Sequence, residues 1–353
     1  MADITLQNIT RRFGRVAAVK NVSFAIRDGE FFVLLGPSGA GKTTTLRLIA
    51  GLEQQDEGAI LFDGRSVDAL SPAERDIAFV FQQYSLYPTM SVYDNLAFPL
   101  RSPMRKTPEA AIQKQVEDVA EKLRISHLLK RKTARLSGGE MQRVSIGRAI
   151  VRDPQIYLMD EPLSNLDAKL RESLRVELTH IQKTRASTTL FVTHDQIEAL
   201  TMADRIAVLN AGEIVQIGTP HDIYDRPATT FVAQLVGTPK INLFDATRDN
   251  GALRITDSTL AIPVAATHAR LPGALKLGVR PEDVRVRADG PYAGDVTLVE
   301  PLGVETLIHI KSGSQTIVST VPGMVAQPIG SGVRFDIAPE RLHYFGQDGA
   351  RVG

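Results

Sequence analysis

Residues 31–51 constrain the fold of this chain more than any other stretch. Five consecutive apolar residues, Phe31-Phe32-Val33-Leu34-Leu35, run into Gly36-Pro37-Ser38-Gly39-Ala40-Gly41-Lys42-Thr43. A helical pattern follows over residues 44–50, with Leu46 and Ile49 on one face and Gly51 as a stop. An apolar run this short reads as a strand covered on both faces. Glycines through the loop let backbone N–H groups turn inward around an anion at the positive end of the helix. The spacing is that of a phosphate-cradling loop, in which Lys42 bridges the β- and γ-phosphates of a nucleotide and the Thr43 hydroxyl binds Mg²⁺. A plain Gly-rich turn is the alternative, and strand, loop and helix in this order argue against it.

The metal then needs a second anchor, an acid at the end of another buried strand. Gln155-Ile156-Tyr157-Leu158-Met159 leads into Asp160-Glu161 and supplies it. Neighbouring side chains on an extended backbone point to opposite faces, so Asp160 is expected to face Mg²⁺ and Glu161 an attacking water. Two acids ending an apolar strand are costly unless a cation or hydrogen bonds offset them, or the strand end is solvated.

The first two-thirds of the chain alternates strand and helix. Strands are expected at residues 4–10, 30–35, 77–81, 155–159 and 188–193. A helix is expected over 107–123, with Thr107 as N-cap and Pro108 at its first position, and another over 168–183, with Leu170, Leu174, Leu178 and Ile181 on one face. This alternation implies an α/β sheet with helices on both faces. Past Arg205 the pattern changes to a hairpin, 206–209 and 213–217 about Asn210-Ala211-Gly212. Beyond residue 237 only short apolar runs remain, separated by Gly/Pro turns, as in a small β-barrel. A boundary near Gly237, giving domains 1–237 and 238–353, agrees with what 353 residues suggest at roughly 150 per domain.

Charge narrows the partners. Lys+Arg number 41 and Asp+Glu 40, a net +1, so no overall electrostatic footprint for nucleic acid or an anionic membrane is present. Cysteine is absent, which excludes disulfides, thiolate metal sites and cysteine nucleophiles. No apolar stretch approaches the ~20 residues of a membrane span, and the N-terminus has no export signal. Composition thus leads to a soluble cytoplasmic protein, inserted in no membrane, whose membrane role would come through a partner.

Further motifs carry a family resemblance. Leu136-Ser137-Gly138-Gly139-Glu140-Met141-Gln142-Arg143 resembles the signature motif of ABC-transporter ATPases, with Glu140 where the family usually has Gln. Val80-Phe81-Gln82-Gln83 resembles the Q-loop, Ser164-Asn165-Leu166-Asp167 the D-loop, and Thr193-His194-Asp195 the switch-histidine loop. Phe13 stands where the family stacks an aromatic on adenine. Singly, each has an ordinary explanation: Ser137 to Glu140 and Asp195 to Glu198 both fit capping boxes, and Asp167 fits a simple cap. Their joint order outweighs those explanations.

The resemblance implies a P-loop NTPase of ABC type, with a helical subdomain at about 88–152 and an OB-like accessory domain behind it. It implies a head-to-tail dimer closing on two ATP, each held with Mg²⁺ by residues 36–43 and Thr44 of one subunit. Ser137, Gly138 and Gly139 of the other would complete the site, and Asp167 would meet the opposing loop. Gln82 would sense Mg²⁺ and water, His194 the γ-phosphate, and Glu161 would polarise the attacking water. The partners implied are two transmembrane permease subunits and a periplasmic or extracellular solute-binding protein, with the chain peripheral on the cytoplasmic face of the inner membrane. Permease helices would dock near residues 82–89; local packing also explains that apolar surface.

The C-terminal third refines this. Residues 277–284, 299–306 and 339–345 resemble the accessory domain of the maltose, glycerol-3-phosphate and multiple-sugar importers, and 236–242 that group's junction. Polyamine, iron and sulfate importers carry related tails, so a polyamine or inorganic ion stays open as cargo. A soluble ABC ATPase of DNA repair or translation would usually show coiled-coil insertions, zinc cysteines or two cassettes, and none is present. From Lys240 onward 12 basic residues face 12 acidic ones, with five Phe or Tyr, so a dimerisation or regulatory role fits better than nucleic-acid binding.

Overall fold

The computed structural model describes residues 2–102, 107–249, 251–264 and 271–352. It divides into two compact units, Met1–Pro220 and His221–Gly353.

In the first unit a four-stranded antiparallel sheet, in the order β2-β1-β4-β5, is built from β1 (Ile4–Phe13), β2 (Val16–Ile26), β4 (Glu57–Phe62) and β5 (Arg65–Ser66). A six-stranded sheet, in the order β10-β9-β3-β8-β7-β6, comprises β3 (Phe31–Leu35), β6 (Ile77–Val80), β7 (Ile156–Asp160), β8 (Thr188–Thr193), β9 (Arg205–Asn210) and β10 (Glu213–Gly218). Its strands from β9 to β6 run parallel, and β10 returns antiparallel. The hairpin loop has positive φ at both Ala211 and Gly212, matching the right-handed twist of its strands.

β3, β7 and β8 are buried at every residue, because helices cover both faces of the parallel sheet. On one face α1 (Lys42–Ala50) packs Leu46, Leu48 and Ile49 into a core shared with Phe24, Phe32 and Leu158. On the other, α5 (Ala168–Arg185) presents Leu174, Leu178 and Ile181. α6 (Gln196–Met202) follows β8. α1 begins at Lys42, two residues before the expected start, and Gly51 ends it in a left-handed cap.

The expected helical subdomain contains α2 (Val92–Ala97), α3 (Glu109–Lys122) and α4 (Gly138–Ile150). A Cβ on Gly147 would lie 2.8 Å from Leu96 and 3.0 Å from Leu123, so this glycine sets how closely the three helices pack. Pro108, not Thr107, occupies the N-cap position of α3, and no side chain caps that helix. Proline fixes φ but leaves ψ free, and an extended ψ of 144° puts the residue just outside the helix.

The second unit opens with α7 (Pro220–Asp225) and α8 (Thr230–Leu235). Among the described residues ten strands follow: β11 (Asn242–Asp249), β12 (Ala252–Ile255), β13 (Ala261–Pro263), β14 (Ala274–Val279), β15 (Val284–Val286), β16 (Tyr292–Pro301), β17 (Glu305–Ser312), β18 (Gln315–Pro322), β19 (Gly332–Ile337) and β20 (His343–Phe345). They form two five-stranded antiparallel sheets, ordered β13-β12-β11-β14-β20 and β15-β19-β16-β17-β18. Phe244, Leu277, Ile308 and Phe335 from both sheets share one core, so the OB-like expectation takes the form of a two-sheet barrel. The division at Pro220 lies ahead of the boundary expected near Gly237. Arg280 explains it: this buried guanidinium donates to the carbonyls of Tyr224, Ala233 and Val236, binding the 221–237 segment to the β-rich unit.

Candidate active site

The loop between β3 and α1 is shaped by two close approaches. A Cβ on Gly36 would sit 2.2 Å from the Leu209 carbonyl oxygen, and one on Gly41 would sit 2.3 Å from that of Ala18. Gly39 and Gly41 also have positive φ, of 78° and 104°. The loop is thus wedged against β9 and β2, with Lys42 as the first residue of α1. Lys42 is 5% exposed; its ammonium donates to the Gly36 and Pro37 carbonyls at 2.9 and 3.0 Å and lies 3.5 Å from Glu161. Burial pushes its pKa down, and the charges of Glu161 and Asp160 oppose that shift.

Asp160 ends β7 beside α1, where the Thr43 hydroxyl donates to its carboxylate at 3.0 Å. Burial raises the Asp160 pKa, against the Thr43 hydrogen bond and the positive charges of Arg47 and Lys42. Glu161 has other partners, and strand alternation is not what turns it. Its φ is +44°, so the backbone has left the strand and strand alternation does not apply to it. Its N–H still donates to Val192 O at 3.0 Å, which anchors the turn to β8.

Three of the expected residues converge on that turned carboxylate. Besides Lys42, Gln82 Nε2 donates to Glu161 Oε2 at 3.3 Å, and His194 Nδ1 lies 3.1 Å from the same oxygen. Gln82 follows β6 and His194 follows β8, so the parallel sheet delivers β3, β7, β8 and β6 to one edge with their C-terminal ends together. The segment before α5 closes over them: Ser164 Oγ donates to Glu161 O at 2.9 Å, and Asn165 Nδ2 to Gln82 O at 3.5 Å.

Phe13, Asp167 and the Ser137–Gly139 segment form no hydrogen bond with this cluster among the described residues. Phe13 ends β1, 45% exposed, with the Arg11 guanidinium 4.7 Å from its ring centre. Asp167 caps α5 by accepting from Leu170 N at 3.0 Å. Ser137 caps α4 in a complete capping box: Glu140 accepts from Ser137 N at 2.7 Å and from Ser137 Oγ at 2.9 Å. The second box is half formed. Asp195 caps α6 through Ile197 N and Glu198 N, but Glu198 turns inward to Thr193.

Sequence reasoning missed the groups that tie these pieces together. Arg148 and Ser145 of α4 donate to the carbonyls of Tyr84 and Ser85, two successive left-handed residues just past Gln82. The helix that Ser137 caps is therefore bonded to the loop that begins at Gln82. Nothing short of the fold brings these segments together, so no local pattern pointed to them.

Comparison with known proteins gives the family. The ABC transporter family model matches residues 19–164 and the TOBE domain model residues 277–345. The chain is 47% identical to the sn-glycerol-3-phosphate import ATP-binding protein UgpC of Psychromonas ingrahamii, over 99% of this chain and 95% of that one. This chain belongs to the ATP-binding proteins of ABC transporters. It is the ATP-hydrolysing subunit of an importer. A second relative of this ABC protein, the trehalose/maltose import ATP-binding protein MalK of Thermococcus litoralis, is 45% identical over 98% of each chain. Among solved structures it resembles the dimeric post-hydrolysis ATP-binding cassette MJ0796 bound to ADP and Pi, with a TM-score of 0.57 and 31% identity. That match covers 62% of this chain and 98% of the other. Among the described residues no helix is long and apolar enough to cross a membrane.

Proposed function

We propose that two copies of this chain close head to tail on two ATP molecules and drive a separate pair of permease subunits at the cytoplasmic face of the membrane. The observation that carries this reading is the convergence of Lys42, Gln82 and His194 on the Glu161 carboxylate, beside the Thr43–Asp160 pair. Phosphoryl transfer to water asks little covalent chemistry of a protein, and positioning and charge neutralisation carry most of the rate. In this reading residues 36–44 cradle the phosphates and Phe13 stacks on adenine. Lys42 leaves its two loop carbonyls for the β- and γ-phosphates. Glu161 orients the attacking water, while His194 and Gln82 hold that carboxylate and the γ-phosphate in register. Ser137, Gly138 and Gly139 address the nucleotide of the partner, with the N-terminal end of α4 contributing positive potential, and Asp167 meets the opposing loop.

Thr43, Asp160 and the Gln82 side-chain oxygen are hard donors, and Asp160 is a buried carboxylate, a set that suits Mg²⁺. Bound there with the nucleotide, Mg²⁺ supplies neutralisation of phosphate charge. The relatives' names support a sugar, sugar derivative or polyol as cargo. A solute-binding protein delivering that cargo is part of the proposal. Tyr87 and Phe98, exposed at 38% and 45% with rings 4.6 Å apart, support a permease contact at the start of the helical subdomain. The boundary proposed for the accessory role is the start of the β-rich unit, whose task is dimerisation or regulation.

Glu161→Gln is expected to bind ATP and accumulate as a dimer by size exclusion, with turnover reduced on the order of a hundredfold. Turnover near that of the parent removes Glu161 from its role. Co-purification of the membrane complex, with ligand identification on its binding protein, decides the cargo; a polyamine or inorganic ion there overturns the carbohydrate reading.

A further inference from the structure

Glu198 is 3% exposed, among the most buried carboxyl groups in the chain, and the mechanism above gives it no task. Its position in the sequence suits a capping box on α6, yet the side chain turns away from the helix end. Instead its Oε2 accepts from the Thr193 hydroxyl at 2.6 Å, and that hydroxyl in turn accepts from Asp195 N at 2.9 Å. The two bonds bracket His194: one holds the side chain before it, the other the peptide after it. Arg171 of α5 reaches the same loop from outside, 3.5 Å from Asp195 Oδ2, while donating to Leu166 O at 3.1 Å. A buried carboxyl with one hydroxyl partner is an expensive way to cap a seven-residue helix that Asp195 already caps twice.

We propose that Glu198 is a positioning residue for ATP hydrolysis: through Thr193 it fixes the backbone on both sides of His194 and so holds the imidazole against Glu161. Arg171 extends the arrangement to Leu166, in the segment that closes over the site. This rests on the His194 role proposed above. It goes further in assigning the histidine's orientation to a group that touches neither nucleotide nor Glu161.

The test uses the full chain, with kcat and KM for MgATP and nucleotide affinity measured separately. Glu198→Ala is expected to lower kcat about tenfold, with KM and nucleotide Kd within about twofold of the parent. Glu198→Gln, which keeps an acceptor oxygen, restores most of the rate. Thr193→Val repeats the loss without altering the carboxyl, and Thr193→Ser reverses it; this pair stands in if Glu198→Ala fails to fold. On a His194→Ala background Glu198→Ala is expected to cost nothing more, since both act through one group. Losses that multiply in the double variant overturn the proposal, as does kcat within about twofold of the parent in both Glu198→Ala and Thr193→Val. A loss in Glu198→Ala with none in His194→Ala overturns the histidine's own role instead.

Discussion

At the scale of single residues, the glycines of the nucleotide loop serve different purposes, and substitution separates them. A methyl on Gly36 meets a backbone oxygen of β9 that cannot retreat without disturbing the sheet, whereas nothing lies within 4 Å of a Cβ on Gly39. Gly36→Ala is therefore expected to destabilise by about 2–3 kcal/mol, as overpacking does. Gly39→Ala is expected to cost only its left-handed φ, about 1 kcal/mol. Thermal unfolding of the two variants checks the order, and equal losses contradict it. Gln142, wholly buried in α4, makes the opposite case: neither its amide nitrogen nor its oxygen has a partner among the described residues. Gln142→Met removes that unsatisfied amide at similar volume and is expected to stabilise by about 1 kcal/mol, read as a raised Tm. Lys42, Thr43 and Asp160 were legible in the sequence because their chemistry is bound to a local pattern. Thr193 and Arg148 were not, since their partners come from distant segments and no spacing encodes that.

Among the elements, helix ends were read well where an acid or serine caps alone and less well where two groups compete. Asp167 and Ser137 do cap their helices, the ordinary role each motif allowed when read singly; Thr107 gives way to Pro108; Glu198 leaves its box for a buried hydroxyl. The α4 cap carries a pH dependence. Glu140 is held below the usual glutamate value of 4.5, chiefly by the Ser137 N–H. A depressed folded pKa means the carboxylate stabilises the cap fully above that usual value, and the contribution is lost as pH falls through the lower folded one. Glu140→Gln removes the charge while keeping the acceptor. Its urea midpoint is expected to fall less than the parent's between about pH 5 and 3, and parallel profiles in the two proteins contradict this. The parallel strands were legible from their unbroken apolar runs, but their order in the sheet was not. That order is what sets Gln82 and His194 on either side of Glu161.

For the whole molecule, the boundary has an energetic meaning. Arg280 is 2% exposed, and three backbone carbonyls from residues 221–237 take its hydrogen bonds while the Tyr224 ring stacks 4.0 Å from its guanidinium. A fragment beginning at residue 221 keeps this arrangement; one beginning at 238 leaves a buried charge with those partners gone. The longer fragment is expected to be more stable by about 3–5 kcal/mol, the usual loss when a buried charge is stripped of its partner. Denaturant titration of the two fragments measures the difference, and equal midpoints contradict it. The sequence reading set the edge of the β-rich domain near Gly237, where composition changes, and the compact unit starts at His221. Composition responds to secondary structure, and the short helices α7 and α8 resemble the first unit in texture while bonding to the second.

The left-handed backbone at Glu161 bears on how this chain accepts mutation. Glycine and aspartate each lie a single base change from a glutamate codon, and both suit positive φ better than glutamate does. Either replacement leaves the turn relaxed and the protein folded, while the carboxylate that Lys42, Gln82 and His194 share is gone or drawn back. A library sorted for expression or heat resistance would keep both variants, and only growth that depends on uptake would remove them.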